Sequence, residues 1–177
     1  MSISTQKIST TNKTEIALGS GDLDSMVFAN THATAAVTID LWVTDQSGVN
    51  VTNSTVLAAA NGKASRLSLT LAVDTVDATD DALLNERIYK SDGSFFGICT
   101  LVNSTTLLTF GGGLVKDIPD TTALHVGTRY YLLNNVVIPN GASLKLTADE
   151  FNMDTLKYNM YIKTNSSTGG IDIITRY

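Results

Sequence analysis

Over residues 37–44 the chain alternates strictly, with Val37, Ile39, Leu41 and Val43 set against Thr38, Asp40, Trp42 and Thr44. Successive side chains of a strand point to opposite faces, so the pattern predicts a strand whose aliphatic side meets a core. A related pattern returns far downstream. Residues 130–133 and 136–138 read as strand on either side of Asn134 and Asn135. Beyond a turn at Pro139, Asn140 and Gly141, Leu144 and Leu146 alternate with Ser143, Lys145 and Thr147. Both stretches read as strands of one sheet face, yet more than 80 residues of different pattern lie between them. The layout predicts an all-β chain: an antiparallel β-sandwich, jelly-roll or immunoglobulin-like, interrupted by an inserted small β-barrel module.

The other segments fit around this frame. Residues 1–14 are polar and predict an extended N-terminal arm, either free or laid on a neighbouring subunit. Residues 15–18 predict a short first strand, and 22–29 a strand or the turn leading into one. Residues 49–60 are ambiguous, with 54–60 the best place for one short helix. Asn61 and Gly62 mark a turn where the insert begins, and Leu67, Leu69, Leu71 and Val73 alternate as another half-buried strand. Residues 86–90 and 95–102 predict a hairpin about a turn at 91–94. A strand at 106–110, a bend permitted by Gly111, Gly112 and Gly113, and a short strand at 123–126 complete a unit of SH3-like type. Residues 156–163 and 171–177 predict a closing hairpin that ties the C-terminus into the sheet. The expected organisation is therefore an arm (1–14), a sandwich (15–60 with 128–177) and an insert (61–127).

Composition narrows the function classes. The net charge is −5, with only 12 Lys and Arg residues scattered along 177. A nucleic-acid binder needs a positive footprint to displace counterions from phosphates, so no nucleic-acid partner is expected. Lys7 and Lys13 sit in a Ser/Thr-rich leader and read as part of a solvated tail. Cys99 is the single cysteine, which rules out an intrachain disulfide; its apolar strand context predicts a buried thiol. Residues 1–12 lack the apolar core of a signal peptide, and no run approaches the ~20 apolar residues of a membrane helix. A chain made in a cytoplasm, with no membrane partner, is expected.

Candidate chemistry is sparse. His32 and His125 have no second His or Cys at ligand spacing, so no metal is expected. The pairs Asp22/Asp24 and Asp149/Glu150 read as solvated loop acids rather than a glycosidase pair. Four aspartates within 74–81 lack the glycine and spacing of a calcium loop and read as a solvated acidic loop. Gly111–Gly113 has neither the Lys-Ser/Thr continuation nor the helix of a phosphate loop, and no nucleophile-elbow sequence supports a Ser-His-Asp triad. No catalytic residue and no cofactor are expected, and the chain reads as a non-enzyme.

The aromatics are more telling. Trp42 falls on the face opposite the aliphatic set, so either the insert covers it or it anchors a subunit interface, where Trp is enriched. Tyr130, Tyr131, Tyr158 and Tyr161 come in neighbouring pairs, and their outward members are read as packing on a partner in preference to stacking on a sugar.

Several segments together resemble small structural proteins of tailed phages, especially those infecting marine bacteria and cyanobacteria. Residues 28–45, which run from Phe28 through His32 to Trp42 and Asp45, resemble a strand pair in those proteins. Residues 129–146 match their tyrosine pair (Tyr130, Tyr131) followed by Val137, Ile138, Pro139 and Gly141. The ending at 169–177 is similar to theirs as well. The insert, with residues 87–93 followed by 96–102, resembles a small β module of other phage virion proteins. The resemblance covers about two thirds of the chain, and this chain departs from the short version by carrying the insert.

What the resemblance implies is a virion structural protein made in the host cytoplasm and located on the capsid surface or neck. The leading expectation is a capsid decoration or cement protein, a homo-oligomer such as a trimer, that bridges major capsid protein subunits. The alternatives are a neck, head–tail connector or tail-associated protein contacting neck or tail proteins, and a glycan- or receptor-binding module. Expected contact residues are Ile3, Lys7 and Ile8 of the arm, with Trp42, Tyr131 and Tyr161.

Overall fold

The computed structural model describes residues 2–19, 22–51, 58–74, 83–151, 154–166 and 170–177. Along them run β1 (Ile3–Ile8), β2 (Thr14–Glu15), β3 (Ser25–Asn30), β4 (Val37–Asp45), β5 (Ala58–Ala59), β6 (Thr70–Ala72) and β7 (Arg87–Tyr89). There follow β8 (Phe95–Ser104), β9 (Leu107–Gly111), β10 (Ala123–Leu124), β11 (Arg129–Ile138), β12 (Ser143–Thr147), β13 (Tyr158–Thr164) and β14 (Ile171–Arg176). A single turn of helix, α1 (Ala148–Phe151), occupies part of the segment around Asp149 and Glu150 expected to be loop. The chain is all-β, as its alternation predicts. It divides into two compact units: Met1–Thr44 with Tyr130–Tyr177, and Asp45–Arg129.

The first unit is a β-sandwich of two four-stranded sheets, ordered β1-β14-β3-β12 and β11-β4-β13-β2. Numbering only these eight strands along the chain, the sheets read 1-8-3-6 and 2-7-4-5. That is the order of a jelly roll, the eight-stranded double Greek key. Each connection passes from one sheet to the other, except β4 to β11, which are neighbours in the same sheet. The inserted unit occupies that one same-sheet link. One core serves both sheets: Met26, Phe28, Leu146, Ile171 and Ile173 from the first, and Val37, Ile39, Leu41, Val43, Met160 and Ile162 from the second.

Three expectations are corrected here. Residues 156–163 and 171–177 do form strands, but not a hairpin. β13 pairs with β2, while β14 pairs antiparallel with β1 and β3 in the opposite sheet. The arm is not free, because Ile3–Ile8 forms the edge strand β1, in register from Ile3 opposite Arg176 to Ile8 opposite Ile171. The side chain of Gln6 also ties this strand to the following segment, donating to the Glu15 carbonyl and accepting from the Ala17 N–H. Finally, of the strands at 130–147 expected to share a sheet with β4, only β11 does, and β12 lies in the other sheet. The C-terminus is tied in as expected: Ser2 and Tyr177 exchange two backbone hydrogen bonds, at 3.1 and 3.2 Å.

Asp45–Arg129 has its own core, which includes Leu71, Ile88, Phe96, Cys99, Leu108, Phe110, Ile118 and Leu124. Its main sheet is β6-β9-β8-β7, and β10 pairs with β5. Bridges Ala60↔Val73 and Tyr89↔His125 join that pair to both edges of the sheet, so backbone pairing runs round the unit and returns to its start. The unit begins at Asp45, earlier than the expected residue 61. Val51 bridges Gly127, and Asp45 N–H bonds the Thr128 carbonyl, so residues before Asn61 already belong to it. Of the expected helix at 54–60, Ala58–Ala59 is strand, and 54–57 lie outside the described residues, as do residues 75–81 of the acidic loop. The expected strand from Leu67 survives only at Thr70–Ala72. Leu71 and Val73 enter the core, whereas Leu67 and Leu69 are exposed.

Candidate interaction surface

The expected contact residues separate into two groups. Ile3, Lys7 and Tyr131 are exposed, whereas Ile8, Trp42 and Tyr161 are buried. For Ile8 the reason is its place at the inner end of β1, where it joins the sandwich core. Trp42 and Tyr161 lie on the sheet's other face, since Leu41, Val43, Met160 and Ile162 point into the core. There they form one stack that spans the sheet. Tyr131 of β11 tilts against Trp42 of β4 at 5.8 Å between ring centroids. Trp42 stacks on Tyr161 of β13 at 6.1 Å, and the Lys13 ammonium, beside β2, lies 4.6 Å from the Tyr161 ring centre.

This order follows the strand order, because flanking strands bring one side chain each to the same level of the sheet face. Aromatic pairs of this separation add about 0.5–1.5 kcal/mol each beyond their burial. The ladder therefore braces the sheet, and only its Tyr131 end, 51% exposed, is available to a partner. A sugar-stacking role for Trp42 needs an open face that this residue does not have. A second aromatic pair, Tyr130 edge-on to Tyr158 at 6.1 Å, sits on the core side of the same sheet.

The polar candidates have structural uses. His32 Nδ1 accepts the N–H groups of Thr34 and Ala35, and buried Asn30 donates to the carbonyls of Ala35 and Ile138. Together they build the loop between β3 and β4. Glu150 accepts the Thr147 N–H at 2.7 Å, closing the turn into α1. In the inserted unit, buried Asp45 takes hydrogen bonds from Ser47 and Asn50 and shapes the entry turn. Tyr89 donates its hydroxyl to the Gln46 carbonyl at 2.8 Å. Burial pushes the Tyr89 phenol above its ordinary pKa of 10.0, with Arg87 pulling against that. Among the described residues no group of three or more His, Cys, Asp or Glu side chains is placed to hold a metal.

Exposed apolar residues missed by the sequence reading are concentrated in the inserted unit: Val49, Leu67, Leu69, Ile98, Leu101 and Val115. On the sandwich, Tyr130 and Val137 accompany Tyr131 on the edge strand β11, and Leu156 is 94% exposed in a turn. The signal for Leu67 and Leu69 was available only as alternation, which assigned them inward. No protein-family model, curated protein or solved structure matches the chain. Among the described residues no helix is long and apolar enough to cross a membrane.

Proposed function

We propose that this chain is a non-enzymatic structural protein of a tailed-phage virion, a decoration or cement protein that stabilises the shell by bridging major capsid protein subunits. The observation that carries the reading is the jelly-roll strand order of the first unit, an architecture used by viral capsid domains among others. The phage-like segments support it: residues 28–45 supply β4, 129–146 supply β11 and most of β12, and 169–177 supply β14, all within that one sandwich.

The mechanism is burial of surface between subunits. A persistent interface needs on the order of 1,000 Å², and the surfaces offered are the outer part of β1 with Ile3 and Lys7, the edge strand β11 with Tyr131, and the apolar exposures of the insert. Immunogold labelling of intact particles with an antibody to this chain tests the assignment. Gold spread over the shell supports decoration, while gold at one pole moves the protein to the neck or tail. Absence of the chain from purified particles by mass spectrometry overturns the virion reading.

A further inference from the structure

The chain has two Asn-Gly steps, Asn61–Gly62 and Asn140–Gly141, both in exposed turns. Such a step carries latent chemistry. The main-chain nitrogen after the asparagine can attack the asparagine's side-chain carbonyl carbon and close a five-membered ring. Glycine, having no side chain, leaves that nitrogen unshielded. Sterics do not separate the two sites. Both glycines take positive φ, +89° at Gly62 and +71° at Gly141, and a Cβ added at either would meet nothing within 4 Å.

Hydrogen bonding does separate them. The Gly62 N–H donates to the Asp120 carboxylate at 2.7 Å. To act as a nucleophile this nitrogen must lose that proton, and the adjacent carboxylate opposes the negative charge that results. The attack would also forfeit a bond to a charged acceptor, which is stronger than a neutral one. At the other site, nothing among the described residues accepts the Gly141 N–H. The bond across that turn is made by its neighbour, with the Ala142 N–H donating to the Pro139 carbonyl at 3.1 Å. The Asn140 side chain has one exposed contact, its Nδ2 donating to the Ala33 carbonyl at 3.2 Å, the long end of the normal range.

We infer that Asn140 is a site of spontaneous deamidation and that Asp120 protects Asn61 from the same reaction. A base takes the Gly141 proton, the nitrogen bonds to Asn140 Cγ, and the Cγ–Nδ2 bond breaks to release ammonia. Water then adds to either carbonyl of the cyclic imide and opens it, leaving aspartate or isoaspartate at position 140. Either product adds a negative charge and removes the donor to Ala33. Isoaspartate also lengthens the main chain by one carbon. That change falls in the turn that hands the chain from β11 in one sheet to β12 in the other, where the Asn30 N–H donates to the Ala142 carbonyl at 2.9 Å. The inference goes beyond the virion reading and stands or falls without it, since it concerns the chemistry of the chain alone.

Peptide mapping by mass spectrometry of the full chain, held folded in mildly alkaline buffer, tests it, with the urea-unfolded chain run alongside. Unfolded, the two steps should convert at similar rates. Folded, Asn140 should convert about tenfold or more faster than Asn61, the factor that a hydrogen bond to a charged group supplies. Asp120→Ala should raise the Asn61 rate toward that of the unfolded chain. Asp120→Asn, which keeps an acceptor but drops the charge, should fall between. Equal rates at the two sites of the folded chain, or a faster Asn61, overturn the inference. So does an Asn140 that stays intact while the unfolded control converts. An Asn61 rate unmoved by both Asp120 variants, where either is folded, overturns the protective role of Asp120.

Discussion

The carboxylate of Asp40, on β4, accepts the backbone N–H of Asn135 on the adjacent edge strand at 2.6 Å. Asn135 holds φ +56° in the middle of β11, so this bond secures a residue that has left the regular ladder. Such a break twists an edge and limits open-ended pairing with other sheets. Asn tolerates the left-handed region and a β-branched residue does not. Asn135→Val is therefore expected to cost about 2 kcal/mol in urea unfolding, and Asn135→Gly only a few tenths. Equal losses for the two would show that the conformation at Asn135 carries no strain.

The aromatic ladder divides by exposure. Trp42 is buried, so Trp42→Ala should lower stability by about 3–5 kcal/mol, as other large-to-small core changes do. Tyr131→Ala should cost about 1 kcal/mol in folding, because only part of its ring is covered. If the ladder's free end meets a partner, particle association measured per folded molecule falls for Tyr131→Ala and not for Trp42→Ala. The reverse ranking in association would place the contact at Trp42, against its burial.

Two glycines with similar backbone angles should behave differently. Gly93, at φ +81°, faces the Gly48 carbonyl so closely that an added Cβ would collide with backbone. Gly112, at φ +77°, faces open space. Gly93→Ala is expected to cost about 3 kcal/mol or more, from collision and strain together, and Gly112→Ala about 1 kcal/mol from strain alone. Thermal unfolding of the two variants side by side decides whether the turns at Gly48 and Gly93 are in contact.

The Tyr89 phenol gives a pH signature. Its folded-state pKa is raised above 10.0, chiefly by burial. Between that value and its folded pKa the unfolded chain has lost the proton while the folded chain keeps it. Stability is thus unaffected by this group below about pH 10 and falls as pH rises beyond it. Tyr89→Phe should lose about 1 kcal/mol at neutral pH, from the bond to Gln46, yet show a shallower decline above pH 10. Urea midpoints from about pH 8 to 11 read the difference; parallel curves for the two proteins would contradict it.

How much of this was legible in the sequence depends on how local the cause is. The strand at 37–45, the paired strands of 95–111 and the buried Cys99 follow from alternation within a few residues. The assignment of strands to sheets does not, because seven connected strand pairs look alike whether the chain turns back in one sheet or crosses to the other. That is why 156–163 and 171–177 read as a hairpin. Trp42 was placed on the correct face, but its burial beside Tyr161 depends on strands more than 100 residues apart. The arm was hidden by its composition: Ser4, Thr5, Gln6 and Lys7 mask an edge strand that needs only Ile8 in the core. Leu67 and Leu69 fit a strand pattern, yet the close approach of Gly113 bends the chain before that strand can begin. Nothing in alternation points to the exposed apolar residues of the insert.

The proposed cementing role is tested most directly by the temperature at which particles rupture and release their DNA. Particles lacking the chain should rupture at lower temperature than complete ones, and added purified protein should restore the difference. Equal rupture temperatures with and without the chain, on particles shown by mass spectrometry to differ only in it, would contradict the cementing role.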